Sequence, residues 1–120
     1  MKEFLVITSS IELYRLASDN IMCITADGDY SVVVQNNGHS KTVIRQLGKI
    51  VEDISKQLKE TGYKFIRIGR SLIVNKDYIH VINIPNQKLI LSDGQNMHTC
   101  NASQDALKKL KAMIEKDVRM

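Results

Sequence analysis

The tightest constraint on this chain is how closely its turn signals follow one another. Asp27-Gly28-Asp29, Asn36-Asn37-Gly38, Pro85-Asn86 and Asp93-Gly94 each set turn-forming residues between short apolar runs. That spacing leaves room only for strands of a few residues, and hairpin turns pair such strands antiparallel. Strands are predicted at 4–7, 11–16, 21–24 and 30–35, with a return after Gly38 at 39–42. Further strands are predicted at 65–68, 72–74, 78–84, 87–91 and 96–100. The βαβα alternation of a parallel α/β domain is missing.

One segment breaks this period. Val43, Leu47, Ile50, Val51, Ile54 and Leu58 recur as one face of a helix does. They predict a bracing helix over 43–58, with Thr42 as N-cap and Thr61-Gly62 as its stop. Gly48 inside it costs ~1 kcal/mol against Ala. A last helix, capped by Asn101 or Ser103, carries Leu107, Leu110 and Ile114 on one side with Met113 beside them. Lys108, Lys109 and Lys111 fall on or near the other side. The fold class is therefore mostly β, β-rich with two helices, one central and one C-terminal.

At 120 residues the chain is expected to form one domain, residues 1–120. The apolar fraction, 43%, suffices for a core and argues against disorder. Apolar runs are too short to span a membrane, and the N-terminus lacks the pattern of a signal peptide. The expected location is the cytoplasm. Seventeen Lys and Arg against thirteen Asp and Glu give a net charge of +4, which favours an anionic partner without naming it. Cys23 and Cys100 are distant in sequence and read as buried thiols. The histidines (His39, His80, His98) are dispersed, so local spacing gives no metal site, and no cofactor is expected. No nucleophile–base pair, paired acids or Gly-rich phosphate loop has recognisable spacing, so no enzyme is read here.

The stretch from Phe65 to Ile79 holds most of the candidate chemistry. Short strands there meet at polar joints containing Arg67, Arg70, Ser71, Asn75 and Lys76, and loop tips are where binding concentrates. The pattern Phe65-x-Arg67-x-x-Arg70-Ser71-x-x-Val74-Asn75-x-x-Tyr78-Ile79 resembles the core signature of the LytTR-type DNA-binding domain of bacterial transcriptional regulators. The resemblance extends to both flanks. Ile21-Met22-Cys23-Ile24 with Gly28-Asp29-Tyr30 is similar to the family's opening, the 43–58 helix falls where the family has one, and Leu89-x-Leu91-x-Asp93-Gly94 resembles its next hairpin.

The resemblance implies elongated, mostly antiparallel β-sheets of about ten short strands. It implies binding of double-stranded DNA at direct-repeat sites through loops entering successive major grooves, with self-association or cooperative pairing on DNA. It implies no enzymatic activity. The family is the output domain of response regulators; the usual receiver domain is absent, which gives a stand-alone regulator as the expectation.

Among candidate contacts, Arg70 comes first, because guanidinium bonds guanine bidentately or clamps phosphate. Its alternative is a surface ion pair. Ser71 and Asn75 either donate to phosphates or hold their turn. Lys76 suits a phosphate or stands simply solvated, and Arg67 suits a structural ion pair equally well. Tyr30 and Ser31 lie near the position from which a family loop contacts a base. Two departures stand out. Gly69 replaces the usual histidine. Before the last helix the family often carries an arginine that reads bases, whereas this chain has Asn101-Ala102-Ser103-Gln104-Asp105. Asn101, Ser103 and Gln104 are then the hydrogen-bonding readers. The missing cation and Asp105 also motivate the alternative, a protein-interaction or regulatory module with weakened DNA binding.

Overall fold

The computed structural model describes residues 2–118. Ten strands and two helices follow in the order β1 (Phe4–Thr8), β2 (Leu13–Ala17), β3 (Ile21–Asp27), β4 (Tyr30–Gln35), β5 (Ser40–Val43), α1 (Leu47–Gln57), β6 (Phe65–Ile68), β7 (Leu72–Asn75), β8 (Ile79–Asn83), β9 (Lys88–Ser92), β10 (Met97–Asn101) and α2 (Gln104–Val118). The strands form three sheets: β1-β2, β5-β4-β3-β7-β6 and β10-β9-β8. Every pairing is antiparallel, as the turn signals require. The molecule measures 41 × 32 × 27 Å along its principal axes.

The five-stranded sheet is the centre, and both of its faces are covered. One face contributes Ile24, Val33, Val43 and Ile73 to a core shared with β1, β2 and α1. The other contributes Met22, Cys23, Val34, Leu72 and Val74 to a core shared with the three-stranded sheet and α2. Double coverage explains why β7 and the first four residues of β3 are buried without alternation. A register shift between Ile21 and Cys23 in the pairing with β4 breaks strict alternation. Ile21 therefore joins one core and Cys23 the other.

The helix α1 starts four residues later than its periodicity predicts. Val43 is buried, but as the last residue of β5, paired with Ser31. Ser31 donates its Oγ–H to the Arg45 carbonyl at 2.7 Å, and a bidentate pair of Arg45 with Asp53 (2.6 and 2.8 Å) pins the loop before the helix. Gln46, not Thr42, is the N-cap. Leu47, Ile50 and Ile54 are buried within α1, and Leu58 just beyond it. The turn after α1 is closed by Glu3, whose carboxylate accepts from the backbone N–H groups of Lys59, Glu60 and Thr61 and from the Thr61 hydroxyl. The Thr61 hydroxyl contributes most to lowering the Glu3 pKa, burial opposes it, and the backbone donors add to the lowering.

Gln57, the last residue of α1, reaches the open edge of β1. Its amide accepts from Val6 N–H at 2.8 Å and donates to the Val6 carbonyl at 3.0 Å. At the other helix, Ser103 is the cap, its Oγ accepting from Ala106 N–H at 3.1 Å, while Leu107 and Leu110 are fully buried.

Candidate nucleic-acid interface

The central sheet has two ends, and the candidate residues divide between them. At one end lie the β3–β4 hairpin tip, the β5–α1 loop and the β6–β7 turn. Strand pairing makes them neighbours: Asp27 faces Tyr30, Ser31 faces Val43, and Ala26 N–H donates to the Ser71 carbonyl at 2.8 Å. Both tight turns use glycine in the left-handed region, Gly28 at φ 66° and Gly69 at φ 61°. At Gly69 the missing side chain lets the turn take this conformation without strain.

Arg70 stands at the tip of the β6–β7 turn, exposed, and among the described residues its side chain has no hydrogen bond or ion pair. Arg67 braces that turn, donating from Nη2 to the Arg70 carbonyl at 3.0 Å. Among the described residues it is a turn support and makes no ion pair. Ser71 is exposed, and so is Tyr30, at 46%. Ser71 and Asn101 line one cleft of about 290 Å³ together with Thr25, Ala26, His98 and Thr99. Asn101 Oδ1 accepts from Lys88 Nζ at 2.6 Å. This leaves the Asn101 amide N–H groups for another acceptor and sets a cation beside them. Gln104 opens α2, exposed.

Four candidates are placed otherwise. Asn75 is 2% exposed; its Nδ2 donates to the Ile21 carbonyl and its Oδ1 accepts from Asp77 N–H, both at 3.0 Å. It locks the end of β7 and has little left to offer DNA. Ser31 is fully buried and spends its hydroxyl on the β5–α1 loop. Ser103 is committed as an acceptor to the helix cap, which leaves its own O–H to donate. Lys76 lies at the opposite end of β7 from Ser71, roughly 15 Å away at strand rise. There it pairs with Asp117 at 3.6 Å and stands 5.0 Å over the Tyr63 ring.

Asp105, in the first turn of α2, pairs with Lys109 at 3.3 Å one helical turn on. Lys88 was missed from the sequence; nothing local marks a strand lysine as the partner of an asparagine thirteen residues on. Behind the cleft, Cys23 and Cys100 bring their sulfurs to 3.8 Å. Both are buried, as expected, but they are adjacent rather than apart. The hydrogen bond to Cys100 and burial push the Cys23 thiol up, and the same bond draws Cys100 down.

The LytTr DNA-binding domain profile matches residues 11–115. Among solved structures, the chain is similar to the LytTr DNA-binding domain of a protein described as a methyl-accepting/DNA response regulator from Bacillus cereus. The TM-score is 0.62 at 18% identity, over 95% of this chain and 98% of that one, a likeness of fold. No curated protein matches. No helix among the described residues is long and apolar enough to cross a membrane. The profile match spans most of the chain and includes every strand of the central and three-stranded sheets: the protein belongs to the LytTr DNA-binding domain family, a family of DNA-binding domains and not a known enzyme family.

Proposed function

We propose that the chain is a sequence-specific double-stranded DNA binder of a bacterial transcriptional regulator, acting on direct-repeat sites. The β6–β7 turn and the β10–α2 connection are its groove-facing loops. Arg70 is the principal reader, supported by Ser71, Tyr30, Asn101 and Gln104. The observation that carries the reading is an exposed, unpartnered guanidinium on a turn that Gly69 and Arg67 hold rigid, in a chain of a DNA-binding family. The turn backbone is already held in place, so binding has only the Arg70 side chain to order, and a charge-assisted bond to phosphate or guanine offsets that. The missing arginine before α2 is offset in part by Lys88 beside Asn101, and Lys109 screens part of the Asp105 charge. Each copy offers one such end, so a direct repeat takes two copies loaded in the same orientation, each strengthening the other.

The test is a mobility shift with the promoter fragment of the protein's own gene, with excess nonspecific competitor. Specific retention is expected, and Arg70→Ala weakens it by ~1–3 kcal/mol, about 5- to 150-fold. If Arg70 holds a phosphate, the log–log salt slope also becomes shallower by ~0.9. Binding indifferent to sequence, with Arg70→Ala equal to the parent, would sink the reading.

A further inference from the structure

Three potential ligands converge at the cleft, from two different sheets. One ring nitrogen of His98 and the sulfurs of Cys23 and Cys100 all lie within 4.8 Å of one another. Cys23 is fully buried and Cys100 is 6% exposed. The irregularity in β3 delivers Cys23 to this side, and alternation along β10 puts His98 and Cys100 on one face.

The spacing of the sulfurs is informative. A tetrahedral ion holding thiolates at about 2.3 Å separates two of them by about 3.8 Å, and here they stand at 3.8 Å. A disulfide needs about 2.05 Å, so it would require side-chain rotation or closer layers. We propose that Cys23, His98 and Cys100 form a binding site for zinc(II), with a fourth position open to the cleft.

Charge favours this ion. Binding displaces one proton from each thiol to solvent, and the neutral imidazole keeps its lone pair for the metal. Two thiolates cancel the dication, leaving a neutral buried centre, whereas copper(I) would leave a net negative charge in an apolar core. His98 and Cys100 line the cleft, which supplies the entry path and room for a water or other fourth ligand. The site would cross-link β3 of the central sheet to β10. It does not depend on the DNA-binding reading.

The test uses the reduced, metal-stripped full chain. Native mass spectrometry with zinc(II) is expected to show one ion retained per chain. Cobalt(II), as spectroscopic stand-in, gives an intense thiolate-to-metal absorption. Cys100→Ser, with one thiolate left, cuts that absorption by half or more. Since a buried substitution can impair folding, His98→Asn, at a half-buried position, is the second variant; it weakens zinc affinity by about tenfold or more while the fold is retained by circular dichroism. Absence of both the zinc adduct and the thiolate band in folded protein overturns the proposal. So does His98→Asn with parental affinity, retention of copper(I) but not zinc(II), or loss of the two thiol hydrogens as a disulfide without metal uptake.

Discussion

Asn75 and Arg70 lie on the same short stretch and have opposite fates. The Asn75 amide satisfies a carbonyl of β3 and caps the turn that follows β7. Asn75→Ala leaves the buried Ile21 carbonyl without its donor, at a cost of ~1–3 kcal/mol. A urea titration is expected to show the lowered midpoint, while DNA affinity per folded molecule stays that of the parent. Arg70 behaves inversely: truncation changes affinity and leaves the midpoint alone, because it is exposed and among the described residues its side chain makes no hydrogen bond or ion pair. The sequence marks both residues equally, as polar groups at strand joints. Only the sheet distinguishes them, since what decides is which end of β7 each occupies and whether a second strand covers it. The same holds for Ser31, which lies next to exposed Tyr30 yet points into the interior.

At the scale of elements, α1 shows where periodicity misleads. Val43 has the right spacing for the helix face and is buried, but a strand buries it. Hydrophobic position reports that a side chain faces the core, not which element delivers it. The consequence for Gly48 is concrete. It falls in the first turn of α1, and an added Cβ would meet only Arg67 Nη1, at 3.9 Å, an ordinary contact. Gly48→Ala is therefore expected to raise stability, by up to ~1 kcal/mol, read as a higher thermal midpoint. The turn after α1 depends on Glu3 in its charged form. Its folded pKa lies below the ordinary carboxylate value, so its contribution is complete above the unfolded pKa and is lost as pH falls through the folded one. Glu3→Gln is expected to lower stability at neutral pH and to flatten the acid limb of the stability profile, measured by denaturation from pH 7 downward.

For the molecule as a whole, the class, the antiparallel pairing and two helices are legible because turn residues and strand periodicity are local. The layering is not. Nothing in the apolar runs of β3 or β7 says that one face meets a helix and the other a second sheet. The meeting of Cys23 with His98 and Cys100 follows only from that layering, which is why dispersed residues read as no site. The link from Gln57 to Val6 is equally non-local, and it bears on behaviour at high concentration. A strand at the rim of a small sheet offers unused N–H and C=O groups to any other chain. On β1 the Gln57 amide occupies one such pair, imitating a third strand with a single side chain. Gln57→Leu would bare that pair, and concentration-dependent light scattering is expected to rise in the variant at concentrations where the parent stays clear. A glutamine at the end of a helix thus serves as a guard against unwanted β-pairing with other copies.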